Sequence, residues 1–391
     1  MALDIKLADR LEKLPPYLFA AIDKMKQEAI RAGKDVISLG VGDPDLPTPP
    51  HIIEALQVAA TDPANHQYPS YVGMLSFRES VAGHYKRTRN IEVDPTNEVV
   101  TLIGSKEGVG HLPLAFVNPG DTVLVPSPGY PVYESGTIFA GGEPYYMPLL
   151  ERNGFVPDLD SIPNDVAANA KMMFINYPNN PTAATCDSSF FAKVVEFAKE
   201  FNIVVVHDAA YNDVTFDGYV APSFLETPGA MDVGMELYSL SKTYNMTGWR
   251  IAAAIGNAEL VGALGSVKTN VDSGAFQPIQ YAGIKALESS QECVEINNRT
   301  FSERADVLVD GLNGIGWNVT KPKGTFYVWI KIPESISSSD MTSLLIKEAA
   351  VVTTPGVGFG IHGEGYIRMT TTTTKDRLQE AVDRIAKVQI P

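Results

Sequence analysis

Two unbroken apolar runs, Met172-Met-Phe-Ile175 and Ile203-Val-Val-Val206, flank a segment of different rhythm, and together they leave few folds open. A run without polar alternation reads as a strand covered on both faces, as in a parallel sheet. Between them Asp187 precedes Phe190, Phe191, Val194, Val195, Ala198 and Phe201, the spacing of a capped helix with one apolar face. Strand, helix and strand in that order make a right-handed βαβ unit, and the alternation fills the middle of the chain. The expected class is α/β, with a mostly parallel sheet covered by helices.

At 391 residues and 45% hydrophobic composition, the chain can bury a large core and should divide in two. Residues 1–50 are expected to form an N-terminal arm and part of a smaller α+β domain. Residues 51–280 would form the large domain and 281–391 the rest of the small one, with strands at Lys323-Gly-Thr-Phe-Tyr-Val-Trp329 and Tyr366-Ile-Arg-Met. Ser335 to Ser339 reads as a short surface loop. A net charge of −15 without a basic stretch argues against nucleic-acid binding. The opening Met-Ala-Leu-Asp-Ile-Lys is too charged for a signal peptide, and no apolar run is long enough to span a bilayer, so a cytoplasmic location is expected. Cys186 and Cys293 have no metal-type or redox spacing, and no metal site is expected.

Ser239-Leu-Ser-Lys242-Thr-Tyr-Asn-Met-Thr-Gly-Trp-Arg250 sets one lysine among small hydroxyls at a strand end, with an arginine eight residues on. Pyridoxal phosphate needs a neutral amine for a Schiff base, and hydroxyls, amides and a fixed cation for its phosphate. Lys242 suits the first need; Ser239, Ser241 and Arg250 suit the second. Ligands of open α/β sheets lie beyond the carboxyl ends of strands, which is where Ile203-Val-Val-Val206 runs into His207-Asp208-Ala-Ala-Tyr211. Asp208 would keep a pyridine nitrogen protonated, and Tyr211 would hydrogen-bond the ring's phenolate oxygen. A helix N-cap is the plainer role for Asp208, and His207 is expected to pack or hydrogen-bond structurally.

Val99-Val-Thr-Leu-Ile103 reads as a strand, and a helix to about Phe116 opens at Gly104-Ser105-Lys106, whose free amides favour an anion. Thr122-Val-Leu-Val125 leads into Pro126-Ser-Pro-Gly-Tyr130-Pro-Val-Tyr133, a rigid turn that presents Tyr130 for stacking on a ring. Asn176-Tyr-Pro-Asn-Asn180-Pro-Thr brings Asn180 to the same phenolate oxygen, or else is a plain Asn-Pro turn. Arg368, in Gly365-Tyr-Ile-Arg-Met-Thr, has the planar fork for an α-carboxylate, unless it faces solvent from an edge strand.

In chain order, Gly-Val-Gly42-Asp-Pro-Asp, Tyr68-Pro-Ser-Tyr-Val-Gly, Gly104-Ser-Lys-Glu-Gly, Pro-Gly-Tyr130-Pro, Asn-Asn180-Pro-Thr, Asp208-Ala-Ala-Tyr211, Ser239-Leu-Ser-Lys242 and Arg368 resemble the class I/II aminotransferases of the fold-type-I pyridoxal phosphate enzymes. The resemblance covers essentially the whole chain and implies a seven-stranded type of sheet, ping-pong transamination between amino and 2-oxo acids, and a homodimer with shared sites. Leu14-Pro-Pro-Tyr-Leu-Phe19, Asp62-Pro-Ala-Asn-His-Gln-Tyr-Pro-Ser-Tyr and the Lys242 segment are most similar to the bacterial LL-diaminopimelate aminotransferases. That branch implies LL-diaminopimelate and 2-oxoglutarate as the substrate pair. By the same resemblance Tyr17 and Gly42 contact substrate, Tyr130 and Asn180 border it, and Lys106 approaches a substrate carboxylate. Gln277 would sit where that branch uses an amide, and Tyr68 would reach the neighbouring subunit's phosphate.

Two departures stand out. The usual Asn-Pro-Thr-Gly is Asn180-Pro-Thr-Ala183 here, acceptable if that position needs no positive φ. Thr370 to Thr374 replaces a mixed apolar strand, which bears on packing more than chemistry. A general aspartate or alanine aminotransferase is the nearest alternative. Ser239-x-x-Lys242 also fits a serine acyl-enzyme hydrolase, but the Ser-Asp-Asn and Lys-Thr-Gly elements of that class do not occur. A cofactor-sensing regulator would require an attached basic DNA-binding domain, for which the chain has no room.

Overall fold

The computed structural model of the protein describes residues 3, 5–15 and 18–391, with side chains for all of these but 18–21. In chain order the strands are β1 (Ile37–Ser38), β2 (Val99–Leu102), β3 (Thr122–Ser127), β4 (Glu143–Pro148), β5 (Ala170–Ile175), β6 (Val204–Asp208), β7 (Gly234–Ser239), β8 (Ala252–Gly256), β9 (Tyr327–Lys331), β10 (Val351–Val352), β11 (Thr354–Pro355) and β12 (Tyr366–Thr370). Seven of them form one sheet in the order β2-β8-β7-β6-β5-β3-β4. Only β8 is reversed, pairing antiparallel with both of its neighbours.

The apolar runs follow from what covers this sheet. Met173, Val205 and Ile255 enter one core, while Met172, Phe174, Val206 and Leu237 enter the core on the opposite face. Successive strand residues point to opposite faces, so two covered faces leave no place for a polar alternate. One covering helix, Ser188–Phe201, starts where Asp187 accepts the Phe190 amide at 3.1 Å and ends at Asn202 with φ 57°. That cap contributes about 1 kcal/mol.

A second, antiparallel sheet has the order β11-β12-β9, with Arg368 opposite Trp329. Ile37, Leu39, Leu308, Val328, Ile367, Met369 and Leu378 share its core, so the segment before residue 40 packs with the last third of the chain. β1 joins β10 in a two-residue parallel pair. The stretch that follows β1 is pinned at both ends. Arg304 grips Asp45 through two hydrogen bonds of 2.6 and 2.9 Å, and Thr48 Oγ1 donates to the Asn245 carbonyl at 2.7 Å.

Four expectations change. The ladder of β9 begins at Tyr327, not Lys323, because Thr325 adopts φ 64° and its amide donates to the Val214 carbonyl, outside the sheet. Ser335–Ser339 is only partly loop, since Ser337 caps a helix beginning at Ser338, which is buried against Glu364. Ala183 has φ 56°, so the position that ordinarily carries glycine does need the left-handed region. An alanine there costs on the order of 1 kcal/mol. The threonine run is absorbed without strain: Thr370 ends β12, Thr370 and Thr372 hydroxyls pair at 3.0 Å, and Thr374 caps the last helix.

Candidate active site

A cavity of about 550 Å³ opens at the carboxyl ends of the parallel strands. Its wall includes Gly42, Ser105, Lys106, Tyr130, Asn180, Asp208, Tyr211, Ser239, Ser241, Lys242, Arg250 and Arg368. These residues lie far apart in the sequence and meet because most of them follow or end a strand, while Arg368 reaches the wall from the middle of β12. The reversed strand β8 completes the set: running backwards, it begins where its neighbours end and so delivers Arg250 to the same rim.

Gly104 stands before the helix Ser105–Phe116 with φ 77°. A Cβ on it would lie 2.1 Å from Arg250 Nη2, so its backbone is a cradle for the guanidinium. Arg250 is anchored by Nη1 to the Thr247 carbonyl at 2.8 Å, which holds its charge beside the free amides of that helix. Ser239 Oγ accepts the Ser241 amide at 3.2 Å, and both serines line the cavity. Cation, amides and hydroxyls together form an anion site.

Lys242 Nζ donates to the Gly42 carbonyl at 3.2 Å, and burial brings its ammonium down from 10.5 to about 8. Asp208 Oδ2 accepts from the Tyr133 hydroxyl at 2.8 Å, while Oδ1 is buried without a hydrogen bond from the described residues. Burial pushes its carboxyl up, against the opposing hydrogen bond of Tyr133. A buried, half-satisfied carboxylate is stabilised by a cationic N–H donor in the cavity. The N-cap role does not arise, since the residues after Asp208 form turns and no helix starts there.

Arg368 is buried, not solvent-facing. Its Nη1 donates to Asn180 Oδ1 at 2.6 Å and its Nη2 to the Gly40 carbonyl at 2.7 Å, with Nε left unpaired among the described residues. The Tyr327 and Phe359 rings lie 4.1 and 4.7 Å from its Cζ. The Tyr211 and Tyr327 hydroxyls are 2.9 Å apart. His207 points away from the cavity, with Nδ1 at 2.8 Å from Glu236 and Nε2 at 3.0 Å from the Tyr177 carbonyl.

Not every expected residue joins this wall. Tyr17 lies outside the described residues. Tyr68 is 83% exposed, and Gln277 donates weakly to the Gln67 carbonyl at 3.4 Å, so both sit on an outer patch. Sequence reasoning assigned no role to Tyr133, Asn176, Thr247 or Tyr327, all of which line the cavity. Tyr133 had a signal, three residues beyond Tyr130 in a rigid turn; Tyr327, inside an apolar strand, had none.

An α/β fold with a lysine, a buried aspartate and a carboxylate-sized arginine around one cavity is the architecture of an aminotransferase, and the chain belongs to that family: residues 34–385 match Aminotransferase class I and II. It is an enzyme, a transferase of amino groups. Among curated proteins it is 59% identical to the LL-diaminopimelate aminotransferase of Syntrophobacter fumaroxidans, over 97% of this chain and 98% of that one. It is 54% identical to the enzyme of that name from Aquifex aeolicus, over 98% of this chain and all of the relative. Among solved structures, apo-BacF from Bacillus subtilis superposes with a TM-score of 0.96 at 42% identity, covering 100% of this chain and 99% of that one. Among the described residues, no helix is long and apolar enough to cross a membrane.

Proposed function

We propose that the cavity holds pyridoxal phosphate and that the enzyme transfers an amino group between LL-diaminopimelate and 2-oxoglutarate. The observation that carries the cofactor is the buried Asp208 Oδ1, without a side-chain partner among the described residues and suited to a ring N–H donor, in the same cavity as the anion site of Ser105, Arg250, Ser239 and Ser241. When bound, pyridoxal phosphate supplies a carbonyl carbon for the amine and a ring that takes up the electrons left by a departing α-proton.

The chain's own groups supply the rest. Lys242, brought down to about 8, has a far larger neutral fraction near neutral pH than an ordinary lysine, and its Nζ would take the proton from the α-carbon. Asp208 holds the proton on the ring nitrogen, and Tyr211 donates to the ring oxygen. Asn180 has its Oδ1 committed to Arg368, so its Nδ2 is left for the same ring oxygen. Arg368 grips the α-carboxylate with a fork already desolvated and stacked, and Tyr130 covers the ring. Transfer from LL-diaminopimelate leaves a keto acid that closes to tetrahydrodipicolinate, while 2-oxoglutarate becomes glutamate.

The substrate rests on the two near-full-length relatives of that name. A distal amine and carboxylate require polar partners that aspartate or alanine would leave unpaired, and Lys106 on the rim is one such partner. Competing-substrate assays test this: LL-diaminopimelate should show the higher kcat/KM, and a higher value for aspartate would favour a general aspartate or alanine aminotransferase. The working unit proposed is a cytoplasmic homodimer. Val58, Tyr68, Tyr71, Leu75, Phe276 and Tyr281 are exposed apolar side chains whose burial by a second copy would carry Tyr68 to the neighbour's phosphate.

A further inference from the structure

We infer that Tyr327 is a positioning residue that sets Tyr211 and Arg368 together, through its hydroxyl for the one and its ring for the other. The inference rests on the cofactor reading above. Tyr327 opens β9, and its side chain is fixed on three sides. Its hydroxyl lies 2.9 Å from that of Tyr211, and its ring face is 4.1 Å from the Arg368 Cζ. The third side is Gly42, where a Cβ would lie 2.2 Å from Tyr327 Cε1 and 2.3 Å from its Oη. The glycine at position 42 is therefore clearance for this ring. Its carbonyl meanwhile accepts from Lys242.

The direction of the phenol pair follows from what Tyr211 must do. To donate to a cofactor oxygen, Tyr211 has to use its single proton, so in the loaded enzyme it accepts from Tyr327. A hydroxyl that accepts a hydrogen bond donates a stronger one. The ring of Tyr327 acts separately, as a buried face against which the guanidinium lies flat, so the two functions can be cut apart by substitution.

Tyr327→Phe keeps the ring and removes the hydroxyl; Tyr327→Leu removes both. Donation to the ring oxygen favours its deprotonated form, so weaker donation raises the pH midpoint of the bound cofactor's absorbance. In the purified holoenzyme, Tyr327→Phe should raise that midpoint by roughly 0.3–1 pH unit, less than Tyr211→Phe does, with KM for amino acids close to wild type. Tyr327→Leu should shift the midpoint equally and also raise KM for every amino acid by roughly three- to thirtyfold. An unchanged midpoint in Tyr327→Phe, or a KM raised as much as in Tyr327→Leu, overturns the inference. A wild type with no pH-dependent cofactor absorbance overturns the cofactor reading instead, and the inference with it.

Discussion

Lys242 works because the fold holds it where its charge is unwelcome. Burial lowers its ammonium from 10.5 to about 8, so between those values the unfolded chain carries a proton that the folded chain has lost. Stability of the cofactor-free protein therefore rises with pH across that window. Below about 8 both states are protonated, and the buried charge costs up to about 3 kcal/mol. Lys242→Met should accordingly stabilise the cofactor-free protein at pH 7 and lose that advantage toward pH 10.5, as read from denaturation midpoints at the two pH values. A variant no more stable at pH 7 would mean that the amine is better solvated than its position implies. Ala183 carries a similar kind of strain without a visible return: nothing in the structure explains alanine at φ 56°.

Among the elements, the helix Ser105–Phe116 and the reversed strand β8 jointly make the anion site, and Gly104 is where they meet. Gly104→Ala would place a methyl on the Arg250 guanidinium and hold alanine at φ 77°, displacing the cation from the helix end. Affinity for pyridoxal phosphate should fall at least about tenfold, roughly 1.4 kcal/mol, while affinity for pyridoxal, which has no phosphate, stays near wild type. Fluorescence titrations with both ligands separate the two; equal losses would point to a collapsed cavity. Elements of this kind were legible because covered strands show as apolar runs and strand ends show as polar, glycine-rich breaks. Lys242, Asp208 and Asn180 follow from that pattern, while Arg368, within β12, was legible only as a planar fork donor on a short strand. Tyr133 and Tyr327 did not, because a phenol in a core rhythm looks like any large apolar residue. The late start of β9 was hidden as well, since it depends on a positive φ at Thr325 that no threonine signals.

For the molecule as a whole, the proposed dimer would bring the exposed Tyr68 to a second copy's phosphate site. Lys242→Ala and Tyr68→Asp should each be inactive alone, and in mixed dimers the chain keeping Lys242 should regain an intact Tyr68 from its partner. Recovery of up to about half the wild-type activity per hybrid is expected from one whole site in two; verified hybrids with no recovery would place Tyr68 in its own chain's site. Within one chain the reach is nearly as long. Arg368 donates to the Gly40 carbonyl across 328 residues of sequence, and β1 pairs with β10. During translation, then, the phosphate cradle and Lys242 leave the ribosome well before the arginine that grips a carboxylate. A synthesis aborted after the large sheet but before residue 368 yields a chain that has Lys242 and the anion site but not the guanidinium proposed for the α-carboxylate.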